Sequence, residues 1–159
     1  MGWSDDLPVG QLRPLKHFGR SYVMFRGADG VVGILDDVCP HLGAHFSEGG
    51  SVVQSSVRCP YHHWAFDGSG RCTSIPYAKK IPAKARTTAH TVIERYGMIF
   101  MYRDAAGGSP AYDIPCIENF DPSFWYDVLL DGPQRDVQLE GLKGLIRNMG
   151  RAGIPIMGY

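Results

Sequence analysis

The sequence predicts an all-β protein, an antiparallel sandwich ending in a short irregular or helical tail. Three observations predict it. Twenty glycines and eleven prolines break the 159 residues at short intervals. Between the breaks lie short runs rich in β-branched and aromatic residues, bounded by turn signals. No long amphipathic helical pattern occurs before residue 130. Six to nine strands are expected, enough for a small sandwich or barrel.

The elements follow in order. Residues 21–26 and 31–36 flank Gly27-Ala28-Asp29-Gly30, which reads as strand, tight Asp-Gly turn and strand. Residues 51–58 alternate weakly and read as one strand leading to Cys59. Residues 88–95 and 98–103 flank Tyr96-Gly97 and form a second hairpin. Residues 104–110 have the composition of a connector. Beyond it, residues 136–151 set Leu142, Leu145, Ile146 and Met149 at helical spacing. Gly141 and Gly144 each weaken that helix by about 1 kcal/mol. The aromatic residues within 120–126 are expected to pack inward rather than form an interface. One domain over 1–115 and an extension over 116–159 are expected.

Composition narrows the function. Sixteen basic residues balance sixteen acidic ones. That balance gives no nucleic-acid footprint, which would need a clustered basic excess. Met1-Gly2-Trp3-Ser4-Asp5-Asp6 lacks the features of a secretory signal. The most apolar run, residues 98–102, is strand-length and far too short to cross a bilayer. A soluble cytoplasmic protein with no membrane partner is the expectation. Four cysteines do not make a disulfide framework here. Cys39 and Cys59 each lie within three residues of a histidine, which suggests a metal. Cys72 and Cys116 have no such neighbour and read as ordinary reduced thiols.

The chemistry is concentrated between Cys39 and Trp64. Cys39-Pro40-His41 and Cys59-Pro60-Tyr61-His62 form C-x-H, seventeen residues, then C-x-x-H. Two loops that each offer one thiolate and one imidazole suit a two-iron cluster. If one iron takes both thiolates and the other both imidazoles, two bridging sulfides complete each tetrahedron. Exchanging two thiolates for neutral imidazoles removes two negative charges and raises the potential, to a range of roughly −150 to +300 mV. The remote imidazole nitrogens can carry protons, so electron and proton affinity are coupled at His41 and His62. Pro40 and Pro60 stiffen both loops. A structural Cys₂His₂ zinc site is the plainer alternative, but the one-residue spacing of the first pair fits it poorly. The C-x-x-H register selects His62 over the adjacent His63. His45 reads as a loop histidine near the site, and His17 and His90 as structural residues in strands.

These residues resemble the Rieske domain of the Rieske non-haem iron oxygenases. The likeness extends to Leu7-Pro8-Val9-Gly10, Gly68-Ser69-Gly70-Arg71-Cys72 and Ile75-Pro76-Tyr77-Ala78. It continues through residues 80–86 and 94–100, and covers about residues 3–115. Within the family the chain is most similar to the branch of the 3-ketosteroid 9α-hydroxylase oxygenase and the cholesterol 7-desaturases. The resemblance implies a Rieske-type antiparallel β sandwich with a small cluster-binding subdomain. It also implies one [2Fe–2S] cluster on Cys39, His41, Cys59 and His62.

Departures within the resemblance sharpen it. Respiratory Rieske proteins carry an extra, disulfide-bonded cysteine in each cluster loop, where this chain has Ala44 and Tyr61. They place a serine hydroxyl where Trp64 stands. Both absences imply the lower potential of oxygenase-type centres. The family commonly has glycine at the position of His63. A complete oxygenase also carries a mononuclear iron on two histidines and a carboxylate. This chain has no histidine after His90, so its last 69 residues supply no such triad. The resemblance therefore implies an electron-transfer component or shortened oxygenase that does not activate oxygen by itself. Its partners would be an electron-donating reductase and an oxygenase catalytic subunit. A standalone Rieske ferredoxin and a redox-sensing module are the alternatives.

Overall fold

Short strands and tight turns build two sheets. The computed structural model describes residues 1–104, 106–110 and 122–152. Its strands are β1 (Gly2–Trp3), β2 (Leu12–His17), β3 (Arg20–Arg26), β4 (Val32–Asp36), β5 (Ser51–Val53), β6 (Ser56–Arg58), β7 (Ala65–Asp67), β8 (Cys72–Ser74), β9 (Ala89–Arg95) and β10 (Met98–Tyr102). Six form one sheet in the order β1-β10-β9-β4-β3-β2, and β5-β6-β7-β8 form the second. Every pairing is antiparallel.

The strands exceed the expected number because the second sheet is made of three-residue pieces. Residues 51–58 are not one strand but a hairpin. Gln54 takes a left-handed φ of 52°, the chain reverses, and Val53 pairs with Ser56. Two of the three hairpins of the larger sheet use two-residue turns left-handed at both positions, while the predicted hairpin of β3 and β4 turns through residues 27–31. Phe18 and Gly19 (φ 52° and 70°) join β2 to β3, and Tyr96 and Gly97 (59° and 73°) join β9 to β10. That geometry matches the twist of paired strands.

β3 and β4 serve two cores at once. Successive side chains on a strand point to opposite faces. Val23, Phe25 and Leu35 therefore enter a core with Phe46, Val57 and Phe66 from the smaller sheet and its loops. Tyr22, Met24 and Ile34 enter another with Leu7 and Ile99. Arg26 ends β3 and is itself buried. Its guanidinium donates to the carbonyls of Leu7 (2.6 Å), Gly30 (2.9 Å) and Ser4 (3.1 Å). Both oxygens of Glu94 on β9 complete the set at 2.7 and 2.8 Å. This bidentate, fully partnered arrangement is what a buried cation requires.

Contacts divide the chain into two compact units, Met1–Ser109 and Pro110–Tyr159. The second contains α1 (Tyr126–Leu130) and α2 (Arg135–Ala152). The expected helix is present. Leu142 and Leu145 are half-buried and Met149 is buried, while Ile146 is 53% exposed. Phe124 and Tyr126 are exposed, against the expectation of inward packing. Phe120 and Cys116 lie outside the described residues. Among the described residues no helix is long and apolar enough to cross a membrane.

Candidate metal centre

Two loops of the same design carry the predicted residues. Val38 pairs with His45 in an isolated antiparallel bridge, and Arg58 pairs with Ala65 where β6 meets β7. Six residues lie within each closure, 39–44 and 59–64. In each, the N–H of the leading cysteine donates to the carbonyl of the sixth residue. Cys39 reaches Ala44, and Cys59 reaches Trp64, both at 2.8 Å. The second residue is proline in both loops. The fifth is left-handed in both, Gly43 at φ 79° and His63 at φ 59°.

The loops set sulfur at the floor and imidazole at the rim. Cys39 and Cys59 are 1% and 2% exposed and belong to the core between the sheets. His41 is half-buried and His62 exposed, with ring centroids 4.8 Å apart. An open cavity of about 520 Å³ lies between the loops, lined by all four residues together with Leu42, His45 and Tyr61. Burial pushes the Cys39 thiol up to about 11, assisted by the adjoining Cys59 sulfur. The N–H groups of His41 and Leu42 bond to the Cys39 sulfur and oppose that shift. Iron bound here would displace thiol protons.

The donor set fits a binuclear cluster better than a single ion. Among the described residues, no three His, Cys, Asp or Glu side chains gather tightly enough to hold one metal. Zinc needs four donors on one point. A sulfur pair below an imidazole pair is the division of donors by which one iron takes two thiolates and the other two imidazoles.

Surrounding residues hold the rim in place. The Trp64 indole stacks on the His41 ring at 4.4 Å and 9°. Its Nε1–H donates to the Tyr77 hydroxyl at 2.6 Å, so a residue beyond β8 fixes the stack. Buried Asp37 accepts from the Ser47 N–H (2.8 Å), the Ser47 hydroxyl (2.5 Å) and His45 Nδ1 (3.1 Å). That network braces the strand-like ends of the first loop. Trp64, Tyr77 and Asp37 were not among the predicted site residues. The sequence marks Trp64 only as the replacement for a serine hydroxyl, not as the partner of His41.

The remaining predicted residues are accounted for. His63 is exposed beside His62, and His45 reaches the cavity wall. His17 is exposed at the end of β2. His90 bonds Asp36 at 2.8 Å and meets the Tyr22 ring edge-on, a structural role. The buried Cys72 thiol donates to the Ser74 carbonyl at 3.4 Å.

Residues 1–96 match the Rieske [2Fe-2S] domain family. The chain belongs to that family. This Rieske domain is 36% identical over 129 residues to the oxygenase component of 3-ketosteroid-9-alpha-monooxygenase from Rhodococcus rhodochrous, covering 80% of this chain. It is 37% identical over 121 residues to cholesterol 7-desaturase nvd 1 from Ciona intestinalis, covering 73%. The chain spans 33% and 26% of the length of these two relatives. The crystal structure of apo dicamba monooxygenase superposes with a TM-score of 0.61 at 31% identity, covering 69% of this chain and 34% of that one. The Rieske-domain fold that the resemblance implied is therefore the fold observed.

Proposed function

We propose that Cys39, His41, Cys59 and His62 hold one [2Fe–2S] cluster and that the chain transfers single electrons within a Rieske-type oxygenase system. The observation that carries this reading is the pair of matched loops placing two thiols beneath two imidazoles. When bound, the cluster supplies a one-electron couple. The protein's own groups do the rest. Buried Cys39 and Cys59 exclude water from the inner side. Trp64 holds the His41 plane, and the exposed edge of His62 brings the redox centre to the surface. Each imidazole keeps one nitrogen free to take up or release a proton with the electron. The N–H groups of His41 and Leu42 at the Cys39 sulfur favour the reduced state, as hydrogen bonds to cluster sulfur do.

The electrons come from a reductase and go to the mononuclear iron of a Rieske-type oxygenase. Residues 1–115 are the electron-transfer domain and 116–159 its extension; the compact unit Met1–Ser109 supports that division. Elemental analysis after iron-replete expression tests the reading. About two irons and two acid-labile sulfides per chain are expected, with an EPR signal after dithionite reduction. Colourless, sulfide-free protein would overturn it. An iron content near three would place a mononuclear site on this chain as well.

A further inference from the structure

The charges of this chain balance in number but not in space. Residues 68–93 contain five cationic side chains and no acidic one. Two of the five, Arg71 and Arg86, are exposed and stand opposite each other in an isolated antiparallel bridge just before β8. The bonds on either side fix the kind of pair. The Cys72 N–H donates to the Ala85 carbonyl at 3.0 Å, and the Thr87 N–H to the Gly70 carbonyl at 2.8 Å. The N–H groups of the two arginines go elsewhere, to Asp67 and to the Lys84 carbonyl. This is the non-hydrogen-bonded position of an antiparallel ladder, where facing side chains stand closest. Like charges placed there destabilise the pairing.

The chain's own carboxylates only partly resolve the conflict. Arg71 Nε lies 3.5 Å from Asp67 Oδ2. The other oxygen of Asp67 accepts from the Ser69 N–H, the Ser69 hydroxyl and the Arg71 N–H, so it is committed to the turn. Arg86 donates to the Ser69 carbonyl at 3.3 Å. Among the described residues it has no carboxylate within ion-pair distance. One positive charge is left without a counter-charge.

A cavity of about 580 Å³ opens beside the two arginines, walled also by Ile81, Pro82, Ala83 and Ala85. Ala85 is buried and Ile81 packs on the main core, so the wall is apolar and anchored. Its size lies within the roughly 300–1,000 Å³ of sites that take organic molecules, and a bare oxyanion would leave most of it empty. Guanidinium forks match the oxygens of a carboxylate or phosphate. We propose that this cavity binds an amphiphilic anion, a carboxylate or phosphate monoester with an apolar body. The head lies between Arg71 and Arg86, and the body lies on Ile81, Pro82 and Ala83. No residue of the two cysteine-histidine loops takes part, so the site stands or falls independently of the electron-transfer reading.

Isothermal titration of the full chain with octyl phosphate and with octanoate tests it. Saturable binding of one molecule per chain is expected, with a rise in Tm because the ligand relieves the facing charges. A variant carrying Arg71→Gln and Arg86→Gln should bind about ten-fold or more weakly, having lost charge-assisted hydrogen bonds to the head. Its circular dichroism should match that of the unmodified chain, since both arginines are exposed. Ala83→Glu, which sets a carboxylate into the wall, should compete with the ligand and weaken binding as well. Phosphatidic acid vesicles separate the two sources of such a head: arginine-dependent retention supports the site with a lipid as its ligand, and octyl phosphate binding without retention supports it with a free solute. Equal affinity in the double arginine variant would overturn the site. So would equal binding of neutral octyl glucoside, or inorganic phosphate binding as tightly as octyl phosphate.

Discussion

The loops at 39–44 and 59–64 share a closing hydrogen bond, a proline and a left-handed fifth residue, yet they differ in three places. The imidazole sits third in one and fourth in the other, as His41 and His62. The left-handed position is Gly43 in the first and His63 in the second. The sixth residue is Ala44 in the first and Trp64 in the second. The backbone plan is what two chemically equivalent half-sites need. The differences show where the halves are unequal: the second loop supplies the indole that stacks flat on the first loop's histidine, while the first loop meets His62 only through the edge-on His41 ring.

The shared plan is most severely tested by removing a floor residue. Cys59→Ser is expected to abolish the visible absorbance and to reduce bound iron to near zero. Cys72→Ser, equally buried but outside the loops, should leave both intact. A normal spectrum in Cys59→Ser would break the symmetry argument at its base.

The junction of the loops comes next. A Cβ on Gly50 would lie 2.2 Å from the Phe46 carbonyl oxygen and 2.8 Å from that of Arg58. Gly50→Ala is expected to cost about 3 kcal/mol, by the overpacking it forces, measured by urea denaturation. A cost under half that value would mean the crossing of the two loop segments is looser than drawn.

The fifth positions sharpen the contrast. A Cβ on Gly43 meets nothing within 4 Å, so Gly43→Ala pays only the left-handed conformation, about 1–2 kcal/mol. Tyr77→Phe follows, with a loss of about 1 kcal/mol for its hydrogen bond from Trp64. A shifted reduction potential should accompany it, because His41 loses its fixed stacking partner. His63→Gly has the smallest effect and the opposite sign. Relief of the left-handed strain is partly offset by the freedom of glycine in the unfolded chain, leaving about 0.5 kcal/mol of stabilisation. Cluster loss in His63→Gly would show that the wrong neighbour was chosen as ligand.

Much of this was legible because the chemistry is local. Cysteine and histidine at fixed offsets declare a two-loop site without knowledge of the fold. Gly27-Ala28-Asp29-Gly30 and Tyr96-Gly97 declare hairpins through their own backbone preferences. The reversal at Gln54 was missed because a non-glycine residue takes the left-handed conformation there, leaving no glycine signal. α1 was missed because five residues make too short a helix to show periodicity. Tyr77 was invisible as a site residue for a different reason. Its partner Trp64 is thirteen positions away, and only the folded chain brings the hydroxyl to the indole.

Cys39 and Cys59 are counted among the most deeply buried side chains of the main core, and that bears on maturation. A chain that closes before it meets iron holds both thiols at the floor of the cavity between the loops. Loading then requires iron and sulfide to enter past the His41 and His62 rim. Biogenesis of this protein should accordingly depend on when iron and sulfide arrive relative to chain closure, with late delivery yielding stable but empty molecules.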